Sequence, residues 1–152
     1  MNTNISHEEV DFYRKNGYVV MHDFLSQEEL QEWRDAVTDA VAERGQQRIL
    51  GQMGKPNEYY ENVFVQRVNL WQDNPKVRKL MLDARLGKIA ATLAGVEGIR
   101  IWHDQALIKK PYANPTAWHL DNPYWSFYSR DALTIWVALD DVTIENGCLW
   151  FL

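Results

Sequence analysis

Helical periodicity dominates the first part of this chain and strand-like periodicity the part after Gly98, an order that narrows the available folds more than any other feature. Ser6-His7-Glu8-Glu9 sets a hydroxyl at a helix N-cap and a carboxylate three residues on, so each can satisfy a backbone amide that the first turn leaves open. The spacing predicts a short helix that runs to about Asn16 and stops at Gly17. Ser26-Gln27-Glu28-Glu29 repeats the capping pattern. Leu30, Trp33, Val37 and Val41 follow at intervals of three and four, which predicts an amphipathic helix ending before Gly45. Asn74-Pro75 offers another N-cap with proline at the first helical position. Asp83 opens a further helix bearing Leu86, Ile89, Ala90 and Leu93, with Gly95 as its stop.

Strand-like runs occupy residues 18–21, 63–71, 99–109 and 134–139, and Asn146-Gly147 gives a tight-turn signal before a last run over 148–152. No helical crossover lies between the late runs, so the expected fold is a single α+β domain over residues 1–152 with a mostly antiparallel sheet. Residues 45–62 show no period and read as a loop, either a lid or rim over a site or a plain surface excursion. The chain stops on Cys148-Leu149-Trp150-Phe151-Leu152, an expected buried strand, whereas domains usually end in polar, exposed segments. Two expectations follow: the polypeptide is part of a longer protein, incomplete at its carbon-terminal end, or that strand self-associates with another copy through an open sheet edge.

Sixteen Lys and Arg against 21 Asp and Glu give a net charge of -5, so no uniform basic field exists to hold nucleic acid or an anionic membrane. No basic start leads into an apolar stretch, and no apolar run approaches the roughly 18 residues that span a bilayer. The lone cysteine, Cys148, cannot form an internal disulfide, and a cytoplasmic location is expected. Seven tryptophans serve either as core fillers or as walls of an apolar pocket.

The sharpest chemical constellation is His119-Leu120-Asp121. On a strand, residues i and i+2 project from one face, so an imidazole and a carboxylate would stand together where a metal could bridge them. A hydrogen-bonded His and Asp at a strand end fits the same spacing. Trp118, Tyr124, Trp125, Phe127 and Tyr128 crowd around the pair, as an apolar wall around a few polar groups would. One His, one carboxylate and a second His make the facial triad of non-haem Fe(II) oxygenases. His103 is the better candidate for the second His; His7 and His22 fit a solvent-facing or hydrogen-bonded role. No HExxH run, paired cysteines, nucleophile elbow, P-loop or dinucleotide fingerprint occurs, and Asp140-Asp141 reads as a solvated turn at a strand end.

Three stretches in order, 118–125 around His119 and Asp121, 133–141 around Trp136, and 145–151 ending Cys148-Leu149-Trp150-Phe151, resemble the phytanoyl-CoA dioxygenase family of Fe(II)- and 2-oxoglutarate-dependent oxygenases. The opening run 12–20 and Phe24-Leu25-Ser26 resemble the same family's amino-terminal segment. The resemblance implies a double-stranded β-helix, a cupin-like jelly-roll of about eight strands with flanking amino-terminal helices, here truncated after about half the barrel. It implies His119 and Asp121 as adjacent iron ligands, Gln105 and Arg67 as co-substrate contacts, and Trp136 as a wall of the 2-oxoglutarate pocket. Fe(II), 2-oxoglutarate and O2 would together hydroxylate a small or medium organic substrate. Relatives place a distal His and an Arg beyond the point that corresponds to Leu152, so little turnover is expected from these 152 residues alone. A non-catalytic cupin-like ligand-binding or interaction module is the alternative.

Overall fold

The computed structural model of the chain describes residues 1–45 and 63–152. The expected loop over 45–62 lies, from residue 46 on, outside the described residues. The element order is α1 (His7–Asn16), α2 (Gln27–Arg44), β1 (Val65–Val68), α3 (Leu70–Asp73), α4 (Pro75–Met81), α5 (Ala84–Ala94), β2 (Gln105–Ile108) and a 3-10 turn, Asn122–Tyr124. Helices and a small antiparallel sheet bear out the α+β expectation.

The helices start and stop where local chemistry predicts. Ser6 and Ser26 each accept from the amide three residues on, and Glu9 and Glu29 each reach back to the cap amide, closing two capping boxes. Asn74 caps α4 by accepting from the Lys76 and Val77 amides at 3.0 Å each, with Pro75 behind it needing no acceptor. Asp83 caps α5, and Gly95 ends it in the left-handed region at φ 71°. The Arg14 guanidinium of α1 lies over Gly95, where a β-carbon would come within 2.7 Å of its Nη2.

One apolar cluster gathers Trp33 and Ala36 of α2, Leu80 of α4 and Leu86 of α5, with Val137 and Leu139 packed against it. A second joins Ala40, Leu70 and Val77, and receives Ala106 of β2. The helices thus form a base on which the late segments rest. Arg34 strengthens this seat by donating from Nε to the Leu139 carbonyl and pairing with Asp140 at 3.5 Å.

Two buried charged groups join helices to sheet. Arg44, at the end of α2, donates to the carbonyls of Val68 and Asn69 at 3.1 and 3.2 Å and grips the Asp73 carboxylate at 2.5 and 2.6 Å. Asn69 enters α3 in the left-handed conformation and gives no side-chain cap. Asp104 supplies the cap from the other strand: its carboxylate accepts from the Leu70 amide at 3.2 Å and the Trp71 amide at 3.0 Å, while its carbonyl accepts from Asn69 at 2.9 Å. Burial pushes the Asp104 carboxyl up, and these amides pull against that shift.

The strands depart from expectation in extent. Among the described residues one sheet occurs, β1 against β2, antiparallel, with Val65 opposite Ile108 and Val68 opposite Gln105. The run 63–71 shrinks to β1 because Asn69 turns left-handed and the chain enters α3. The run 99–109 shrinks to β2, since β1 offers only four residues to pair with. Runs 18–21, 134–139 and 148–152 form no ladder among the described residues; a β-propensity run becomes a strand only beside a hydrogen-bonding neighbour. The last run is also exposed rather than buried, with Trp150 at 61% and Phe151 at 58%. Its anchor is aromatic: Tyr18 stacks on Phe151 with centroids 4.7 Å apart, and Phe12 meets Tyr18 edge-on. Among the described residues the sheet is this two-stranded ladder beside unpaired late segments, not the eight-stranded jelly-roll that the resemblance implies.

Two stability predictions follow. Asp104→Ala strands two amides at the start of α3 and lowers unfolding free energy by about 2–3 kcal/mol in urea titration, with Asp104→Asn between it and the parent. Glu29 is held down to about 2, chiefly by the terminal ammonium, then by the Ser26 amide and Arg85. Its contribution is complete above the ordinary glutamate range, near 4.5, and fades as pH falls toward about 2. Glu29→Gln therefore lowers the melting temperature at pH 7 and flattens its decline between pH 5 and about 2.

Candidate metal and co-substrate site

Period-two alternation sorts the residues of β2 onto two faces. Asp104 caps α3 and Ala106 packs on the second apolar cluster, so both face the helical base. Gln105 and Leu107 face the other way, and both are exposed. Cross-strand partners share a face, which puts Gln66 with Leu107 and Val68 with Gln105 on the outward side. The Gln66 amide nitrogen donates to Gln105 Oε1 at 2.6 Å across that side. Arg67 lies opposite Ala106 and so belongs to the base side, away from Gln105. Its Nη1 donates to the Gln66 carbonyl at 2.8 Å, and its buried Nε has no partner among the described residues. The ladder thus separates two residues that the sequence reading grouped.

Trp136 lies in a segment that pairs with no strand among the described residues. Its neighbours Val137 and Leu139 are partly buried against the helices; Trp136 is 43% exposed. Asp140, expected in a solvated turn, is 89% exposed and meets only Arg34 among the described residues.

His119 and Asp121 come together, though not for the reason the spacing gave. They lie on no strand. Asp121 adopts a right-handed helical conformation and leads the 3-10 turn Asn122–Tyr124, which curls the carboxylate back until Oδ1 is 3.4 Å from His119 Nε2. The other ring nitrogen, Nδ1, is 2.8 Å from the Ala117 carbonyl. A carbonyl has no hydrogen to give, so Nδ1 carries the proton in this bond. Nε2 then turns toward the carboxylate either as a lone pair, which needs a cation between the two, or as a second N–H, which makes an ion pair. Both groups are about half-exposed, at 44% and 53%, open to a ligand from solution. Ala117 was invisible to side-chain motifs because its contribution is a backbone carbonyl.

Aromatic rings flank the pair. Tyr124 meets His119 edge-on at 6.1 Å, Trp125 stacks on Phe127 at 5.4 Å, and Phe127 meets Trp102 edge-on at 5.4 Å. Trp102 packs on His103 at 4.0 Å. Trp118 and Tyr128, expected in the same wall, are 62% and 85% exposed. Burial lowers the His103 pKa, while the charges of Asp104 and Asp121 act to raise it. His103 therefore lies within electrostatic reach of Asp121. Even so, among the described residues no three His, Cys, Asp or Glu side chains gather closely enough to hold a metal ion.

The chain is similar to several known proteins. The family model "Phytanoyl-CoA dioxygenase (PhyH)" matches residues 13–152. The chain is 27% identical over 157 aligned residues to "Dioxygenase lolE1" of Epichloe uncinata, covering 97% of this chain and 57% of that protein. It is 26% identical over 160 aligned residues to the "Methylphosphonate hydroxylase" of Gimesia maris, covering 99% and 57%. The chain thus spans little more than half the length of these curated relatives. Among solved structures, the non-heme alpha ketoglutarate dependent carbocyclase SnoK from nogalamycin biosynthesis superposes with a TM-score of 0.61 at 28% identity, over 74% of this chain and 41% of that one.

The two-faced reading of β2 is open to chemical labelling. In a Cys148→Ser background, Gln105→Cys and Leu107→Cys should react readily with a maleimide in the folded chain, and Ala106→Cys slowly. Equal rates at all three positions would remove the assignment of faces.

Proposed function

The chain belongs to the phytanoyl-CoA dioxygenase family, and we propose that it forms part of an Fe(II)- and 2-oxoglutarate-dependent oxygenase that hydroxylates a small or medium organic substrate. The observation that carries this reading is the approach of His119 Nε2 to Asp121 Oδ1, with Nδ1 committed to the Ala117 carbonyl. Metal-bound histidines characteristically donate their second ring N–H in this way, which fixes the tautomer and leaves a lone pair for the ion. His119 and Asp121 would hold Fe(II), two donors of a facial triad whose third member is the distal His of relatives. The metal with 2-oxoglutarate and O2 supplies an oxidative decarboxylation to succinate coupled to hydroxylation of a substrate carbon.

The protein's own part is binding and orientation. In this reading the Gln105 amide would contact the keto acid, Trp136 would wall its pocket, and the rings of Tyr124, Trp125, Phe127 and Trp102 would form an apolar rim beside the substrate. Arg67 is not retained as a co-substrate contact in this reading, because its strand position turns it toward the helical base.

A second reading, a non-catalytic cupin-like ligand-binding module, is favoured by the absence of a third metal-binding side chain near the pair among the described residues. Iron titration separates the two. Under the oxygenase reading an anaerobic Fe(II) titration shows a weak site, held by two side chains, that His119→Ala abolishes. Iron content unchanged by that substitution removes the ligand assignment. The 152-residue chain should release little succinate from 2-oxoglutarate with Fe(II), ascorbate and candidate substrates; robust substrate-coupled release would overturn the dependence on a distal His and Arg.

A further inference from the structure

Gln66 and Gln105 form a diagonal pair on adjacent strands, two residues out of register, on the face turned away from the helices, with Gln66 Nε2 donating to Gln105 Oε1 at 2.6 Å. An amide has one acceptor end and one donor end. When Oε1 is engaged by a neighbour, the nitrogen is the end left to present two N–H groups outward, and these suit a carboxylate. A glutamine with both ends free would sample the opposite orientation, aiming a carbonyl oxygen at the anion instead. We propose that Gln66 is a positioning residue for Gln105: it holds the Gln105 amide with its oxygen occupied and its nitrogen free to donate to a carboxylate of the keto acid. This rests on Gln105 being a 2-oxoglutarate contact, whereas the orientation of the pair stands independently of it.

Two measurements test the proposal on the full 152-residue chain. Side-chain amide resonances in a 1H–15N spectrum report the pair without any ligand. The Gln66 NH2 should be protected from exchange and the Gln105 NH2 should resemble free amide. Gln66→Glu, which can only accept, should reverse the Gln105 amide and shift its NH2 signal downfield. A protected Gln105 NH2 in the parent chain, or one unmoved by the substitution, overturns the proposal.

The second measurement is 2-oxoglutarate binding with Fe(II) under anaerobic conditions, followed by tryptophan fluorescence. Gln66→Leu should weaken binding about three- to tenfold, the size expected for losing one neutral hydrogen bond. In a Gln105→Leu background the same change should have no further effect, because Gln66 acts through Gln105. An equal loss in both backgrounds overturns the positioning role. If the parent chain takes up no 2-oxoglutarate, the co-substrate reading fails and the spectrum alone decides the pair. Both residues are exposed, so the melting temperature should stay put and exclude a general structural effect.

Discussion

The carboxylate of Asp104 is the point on which the arrangement turns. A four-residue helix entered through a left-handed asparagine has no cap of its own, and its first amides would be left without acceptors. Asp104 accepts two of them from a strand 34 residues away along the chain from Leu70, and its carbonyl accepts the Asn69 amide as well. Three bonds from one residue therefore dock β2 on the helical base and set which side of β2 faces outward. Arg44 closes the same junction from α2 by binding the last carbonyls of the strand segment and the Asp73 carboxylate. Such groups are costly to bury alone, and each is satisfied by the other elements at the junction.

The helices were legible because their determinants are local. A capping box spans four residues and an amphipathic stripe repeats within two turns, so Ser6, Ser26, Asn74, Asp83, Gly17 and Gly95 mark ends that need nothing distant. The sheet was less legible, since a strand is defined by its neighbour. Residues 134–139 have the composition of a strand and the inward alternation of Val137 and Leu139, yet no partner beside them among the described residues. The left-handed turn at Asn69, which cuts the run 63–71 in two, carries only the weak signal that asparagine tolerates that conformation better than most residues.

The candidate site shows the same division. His119 and Asp121 were identifiable by residue type and by resemblance, and they do meet, through a 3-10 turn rather than by strand alternation. Gln105 falls on the outward side, whereas Arg67 does not, because pairing register is a non-local property that residue identity near a motif cannot supply. The Gln66 bond to Gln105 and the Ala117 carbonyl behind His119 depend on tertiary placement and carry no sequence signal of their own.

The alternation of Asp104, Gln105, Ala106 and Leu107 gives this stretch an unusual tolerance profile. Exchanging an outward residue changes what the exposed surface recognises and leaves the foundation untouched. Adding or deleting a single residue here does something different: it rotates every later side chain to the opposite face, driving an amide into the apolar layer and pulling the buried anchor into water. Descendants of this chain can therefore diversify in composition along β2, while its length is held fixed by the helices beneath.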